Sequence, residues 1–214
     1  MRKDSHKLFR IRTILRQATH HHHVALNRNP MLSPIMEKRI SLLEYKHLLL
    51  AYLPLYEELE SIISSTLTDY IPEFDYSQRY KAAWLRQDLL AMKCELSNPV
   101  EIESYRPCEP SNASELIGLL YVLEGSTLGG QVISRLISQR FSINADAGLR
   151  FFCGYGLETQ SFWEEFLSLA DTKISEDRDD IEYASQYACR IFSGIGTYLS
   201  SYHRRVNSNE QYLS

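Results

Sequence analysis

Apolar residues recur along most of the chain at spacings of three and four rather than two, and no Asn-Gly or Asp-Gly pair marks a hairpin, so the pattern predicts an all-α protein. A first stripe of Ile11, Leu15, Ala18, His22 and Leu26 predicts a helix from about Phe9 to Asn29, ended by Pro30 because the residue before a proline avoids helical geometry. A second helix is expected after Pro34 through Ile40, Leu43, Leu48 and Tyr52. Pro54 should kink or break it before the pattern resumes in Leu55, Leu59, Ile62 and Ile63 and stops ahead of Pro72. A third helix covers Gln78 to Leu96, followed by a connection with Pro99, Pro107 and Pro110 that has no period. Ser111 to Ser114 offers capping residues for a fourth, from Glu115 to Phe141. After a loop around Asn144 to Gly156, a fifth begins near Thr159 with Phe162, Phe166 and Leu169. A sixth follows Ser175, acidic at its start in Glu176, Asp177, Asp179 and Asp180, and runs through Tyr187, Ile191, Ile195 and Tyr198. No internal repeat or linker divides the chain. The expected organisation is an N-terminal extension at 1–10, one domain at 11–200 and a loose polar tail at 201–214.

Composition narrows the function classes. At 214 residues the chain can bury a full core, and 44% apolar against 23% charged residues argues against disorder. A net charge of −4, from 23 basic and 27 acidic residues, leaves no chain-wide basic surface, so nucleic acid is not an expected partner. No apolar run is read as reaching the roughly 18 residues of a membrane span. The charges in Leu8-Phe9-Arg10-Ile11-Arg12 interrupt any signal-peptide core, so no membrane association and a cytoplasmic location are expected. Cys94, Cys108, Cys153 and Cys189 lack CxxC spacing and are assigned no chemistry. Glu44-x-x-His47 is half of a di-iron motif, and no second copy accompanies it.

Two features are unusual. Leu123-Glu124-Gly125-Ser126-Thr127-Leu128-Gly129-Gly130-Gln131 puts three glycines inside an apolar helical run, each costing about 1 kcal/mol relative to alanine. Gly125 and Gly129 share a face, where missing side chains allow either close helix packing or the approach of something flat and large. The glycines alone do not choose between these. The other feature is His20-His21-His22-His23. Four consecutive helical residues point about 100° apart and cannot jointly ligate one metal, so a single imidazole facing a pocket is the simpler use. Periodicity favours His22 on the apolar stripe, with His23 on its flank near Thr19 and Arg16.

Leu15-Arg16-Gln17-Ala18-Thr19 followed by His23, with Leu26 and Pro30 beyond, resembles the proximal-histidine helix of heme oxygenases. Leu120 through Gln131 is similar to the family's kinked distal helix. Tyr80 to Leu89 and the stretch from Phe151-Phe152-Cys153-Gly154-Tyr155-Gly156 to Trp163 are similar to the bacterial, biliverdin-producing branch. The resemblance covers about residues 11 to 200 in the expected order. It implies an all-α single-domain helical bundle with heme between the first and the kinked distal helix. His23 would be the axial ligand of the heme iron, with His22 as its rival and packed instead. Gly125 and Gly129 would lie over the heme, and Phe192 would be part of its wall. Arg16 and Tyr121 would face the propionates, an arrangement that favours cleavage at the α-meso edge. Ser126 stands where animal-type enzymes carry a water-organising aspartate. A hydroxyl cannot replace that charge, and Arg86 or a tyrosine is a candidate to share the role. Heme would be both cofactor and substrate, with dioxygen as co-substrate and a ferredoxin or flavoprotein as external reductant. The products would be biliverdin, carbon monoxide and ferrous iron, and a bilin-using phytochrome is a further implied partner. The alternatives are a non-catalytic heme carrier or sensor of the same fold, and a hydrolase on the related thiaminase-like fold, whose cysteine nucleophile no motif here supports.

Overall fold

The computed structural model describes residues 3–94, 105–175 and 178–212. Its helices are α1 (Lys3–Asn27), α2 (Ser33–Met36), α3 (Leu42–Tyr70), α4 (Ala82–Ala91), α5 (Ala113–Phe141), α6 (Arg150–Cys153), α7 (Thr159–Lys173) and α8 (Arg178–Tyr212), with short 3₁₀ turns at Ala145–Ala147 and Gly156–Glu158. No strand occurs among the described residues. The expected end of a helix at Leu96, the proline at Pro99 and the acidic pair Glu176 and Asp177 lie outside the described residues.

α5 runs through the middle of the bundle and packs on α8, α7 and α6, while α1 lies across α8 and α7. The α5–α8 crossing is close because Gly118 has no side chain, since a Cβ there would sit 2.4 Å from the Ala184 carbonyl oxygen. By length and composition α5 is apolar enough to cross a membrane, contrary to the sequence expectation. Its interruptions are mostly Gly, Ser and Thr rather than charges, and the helix is the core of the bundle, with Leu116, Leu119, Leu120 and Leu123 buried.

Several expected boundaries shift for identifiable reasons. The helix expected from Pro34 to Ile63 divides at Glu37–Ser41, ahead of Pro54, because Ser41 starts a new helix. Its hydroxyl accepts from the Glu44 amide while the Glu44 carboxylate accepts from the Ser41 amide at 2.7 Å. Pro54 lies inside α3 without ending it, on an exposed face where water can meet the carbonyl deprived of its amide. α1 ends at Asn27, and the buried Asn29 just beyond ties this corner to α8. Its Nδ2 donates to the Gly196 carbonyl and to Ser200 Oγ, both at 2.9 Å. Residues 201–212 are not a loose tail. They continue α8 to Tyr212 because Leu199, Tyr202 and Val206 prolong the buried stripe. At the other end, the first helix begins at Lys3 rather than Phe9.

Candidate active site

A cleft opens between α1, α5 and α8. It has two adjoining halves that share His23, Gly125 and Phe192. The inner half is walled by Leu26, Tyr52, Val122, Phe151, Phe152 and Ile195, with Tyr56, Lys81 and Ser126 as polar members. The outer half is lined by Arg12, Arg16, Thr19, His20, Tyr121, Leu128 and Trp163.

The four histidines separate by role. His23 lies at the seam of the two halves, its ring edge-on to Phe192 with centroids 6.0 Å apart. Its Nδ1 lies 3.4 Å from Asn27 Nδ2 one turn later, an arrangement that leaves Nε2 as the other ring position. Burial first, then the neighbouring His20 and Arg16, lowers its pKa, so the neutral imidazole is favoured at physiological pH. His22 instead turns to α8, its Nδ1 2.9 Å from Ser193 Oγ, and is not among the residues lining either half. His21 packs on His22.

Opposite His23, α5 presents its glycines, and they divide by what a side chain would meet. A Cβ at Gly129 has no heavy atom within 4 Å, and one at Gly125 meets only the Trp163 ring at 3.8 Å, an ordinary contact. At Gly130 it would come within 3.0 Å of the Phe152 carbonyl oxygen. Gly130 and Gly118 therefore serve backbone packing, while Gly125 and Gly129 leave open space on the cleft. Ser126 Oγ, between them, donates to the Leu123 carbonyl at 2.7 Å, and the Tyr56 hydroxyl of α3 lies 3.2 Å from that serine oxygen. With the serine proton committed, the tyrosine hydroxyl is the donor of that pair. Burial raises the Tyr56 pKa far above its usual value, which keeps the hydroxyl protonated. Arg86 is not part of this site, because its guanidinium pairs with Glu57 on the outside of the bundle.

Behind the distal stretch, Glu124 is 1% exposed and accepts from Arg79 Nη1 at 2.7 Å, Lys81 Nζ at 2.9 Å, Tyr76 OH at 3.1 Å and Tyr155 OH at 3.0 Å. This buried ionic group fixes α5 against the Tyr76–Lys81 segment. Breaking one partner of such a group costs about 3–5 kcal/mol.

At the mouth, Arg12 and Arg16 stand near the Tyr121 hydroxyl, giving a cationic rim to an apolar slot. A forked guanidinium suits a carboxylate. The structure thus brings His23, Arg16, Tyr121, Gly125, Ser126, Gly129 and Phe192 to one cleft. It adds Tyr56, Lys81 and Arg12, which sequence reasoning missed. A single neutral imidazole, an aromatic and aliphatic slot, space where two side chains are missing, and cations at the open edge fit a planar metallo-macrocycle with acidic substituents.

Comparison with known proteins bears on the family and the fold. The family model described as heme oxygenase matches residues 10–194. The heme oxygenase of Leptospira interrogans superposes with a TM-score of 0.75 at 16% identity, covering 89% of this chain and 98% of that one. Heme oxygenase-1 of the cyanobacterium Synechocystis, solved in complex with heme, superposes with a TM-score of 0.72 at 14% identity, covering 95% and 97%. At these identities the superpositions show the shared fold. None of the curated proteins compared by sequence matches the chain.

Proposed function

The chain belongs to the heme oxygenase family, and on that premise we propose that it binds heme between His23 and the open stretch of α5 and cleaves it to biliverdin, carbon monoxide and ferrous iron. The observation that carries this reading is the pairing of one neutral imidazole with an α5 wall opened at Gly125 and Gly129. When bound, heme supplies both the redox-active iron and the ring that is opened.

The protein's own part is to orient and to place protons. His23 would hold the iron through Nε2, and the Asn27 contact restrains its ring. Phe192, Leu26 and Val122 exclude water from the slot. Arg16, Arg12 and Tyr121 would hold the propionates, an arrangement that would favour cleavage at the α-meso edge. On the opposite wall Gly125 and Gly129 would let the α5 backbone come close to dioxygen. Tyr56 directs its hydroxyl proton to Ser126 Oγ, whose oxygen can also accept from a water in the pocket. The Tyr56–Ser126 pair thereby stands where a carboxylate organises water in animal-type enzymes. The reductant is an external ferredoxin or flavoprotein, and the bilin product suits a phytochrome as consumer.

The test is an optical titration of purified protein with hemin, followed by reduction in air with ascorbate or ferredoxin in the presence of catalase, with extraction and chromatography of the pigment. Biliverdin formed together with carbon monoxide supports the reading. Stoichiometric binding without cleavage, with a donor proven on an active control, points to a carrier or sensor, and no specific binding removes both.

A further inference from the structure

The floor of the cleft is held by a group outside it. Asp88 on α4 is 1% exposed, and its two oxygens accept from two successive amides, Arg150 N at 2.7 Å and Phe151 N at 2.8 Å. These amides open α6, a single turn of four residues that could not persist alone. Both aromatic residues of the turn, Phe151 and Phe152, are buried and face the cleft. Phe151 meets Tyr56 edge-on with centroids 4.9 Å apart, and Tyr56 is the residue that donates to Ser126.

The rest of the turn is clamped from three sides. On α4, Trp84 carries the Arg150 guanidinium 4.2 Å above its ring. On α3, the Tyr45 hydroxyl donates to the Gly148 carbonyl at 2.8 Å, two residues before α6. On α5, Gly130 lets the Phe152 carbonyl approach directly.

We propose that Asp88 is a positioning residue for the heme cleft: by seating α6 it sets the depth of the aromatic floor and, through Phe151, the placement of the Tyr56 hydroxyl. The proposal rests on the reading of the cleft as a heme site. An asparagine at 88 preserves shape but offers one acceptor oxygen to two buried amides, so one amide is left unmatched and the turn must tilt. The groups facing Asp88 are Arg150 and Cys153 of α6 and Tyr45 of α3. Of these, Arg150 favours the carboxylate. Burial raises the Asp88 pKa to about 6, so protonation mimics the asparagine within an accessible pH range.

The experiment compares wild type, Asp88→Asn and Gly130→Ala, the last pushing the same turn off α5 from the opposite side. Two quantities are read: amide hydrogen exchange at Arg150 and Phe151 in ligand-free protein, and hemin affinity between pH 5 and pH 8. The expected result is at least tenfold faster exchange and at least tenfold weaker hemin binding in both variants, each of which keeps the helical circular-dichroism spectrum of the folded bundle. Wild-type affinity should fall on acidification through about pH 6 more steeply than that of Asp88→Asn, which retains the loss due to His23 protonation but not that due to Asp88. Unchanged exchange at Phe151 overturns the clamp. Faster exchange with unaltered hemin affinity and pH profile overturns its role in the cleft. Failure of wild type to bind hemin refutes the functional reading, and with it the cleft role, whereas the exchange data still decide whether the clamp exists.

Discussion

Gly129→Ala separates space kept for a ligand from space used by the fold. A Cβ at this position meets no heavy atom within 4 Å, so the added methyl group has nothing to displace in the ligand-free protein. Replacing a glycine inside a helix by alanine contributes about 1 kcal/mol, which for a domain of this size raises the melting temperature by about 2–4 °C. The same methyl stands on the cleft wall opposite His23. A ring packed on that wall at van der Waals distance, about 3.5–4.0 Å between carbons, has to move away from α5 or away from its axial ligand. A loss of at least tenfold in hemin affinity is expected, equivalent to about 1.4 kcal/mol. Thermal unfolding of ligand-free protein followed by circular dichroism, together with hemin titration, reads both effects. Gly118→Ala is the internal control, because its Cβ would lie 2.4 Å from the Ala184 carbonyl oxygen, and it should lower the melting temperature. A fall in stability for Gly129→Ala, or a rise accompanied by unaltered hemin affinity, would refute the assignment of this wall to the ligand.

Four further outcomes are expected. His23→Ala should abolish the native axial-ligand spectrum of the hemin complex while His22→Ala preserves it, since His22 is held by Ser193, and the reverse pattern would move the ligand by one residue. Tyr56→Phe should slow biliverdin formation severalfold at nearly unchanged hemin affinity, and equal rates would remove the hydroxyl from proton placement. Lys81→Met leaves the Glu124–Arg79 pair but strips one donor from a buried carboxylate, at a cost of about 3–5 kcal/mol, so the melting temperature should drop by roughly 10 °C; a change of a degree or two would count against the network. The raised Asp88 carboxyl, at about 6, means that between about pH 4 and pH 6 the folded state holds a proton the unfolded chain has released. Its contribution to stability therefore falls as pH rises through that window and is level above it. The stability of wild type relative to Asp88→Asn should show that slope, and an upward slope would contradict the burial argument.

The sequence was most informative where local chemistry decides the structure. The start of α7 at Thr159 and the end of α5 at Phe141 stand where the periodic pattern puts them, and Asn112, within the run of capping residues, accepts from the Glu115 amide. The His23 register followed from a motif, while periodicity by itself favoured His22, because the stripe that packs on α8 and the edge that faces the cleft lie on adjacent sides of one helix. What the sequence did not show depends on residues far apart in the chain. α6 needs a carboxylate 62 positions upstream, and Tyr56 meets Ser126 across 70 positions. The sequence makes a tyrosine a candidate for that role, but nothing in a linear pattern selects one out of 14. The continuation of α8 was missed because Tyr202 and Val206 are spaced among polar residues, so a compositional change concealed an unbroken buried stripe.

The charged groups around the cleft belong to two different electrostatic regimes. Glu124, Arg79 and Lys81 have side chains 1% exposed, out of reach of mobile ions, whereas Arg12 and Arg16 sit at the exposed mouth, where a Debye length of about 8 Å at physiological ionic strength damps their pull. Added salt should therefore weaken capture of an anionic ligand at the rim and leave the position of the distal helix untouched. Ionic strength becomes a way to vary binding and release without deforming the surface on which the chemistry is done.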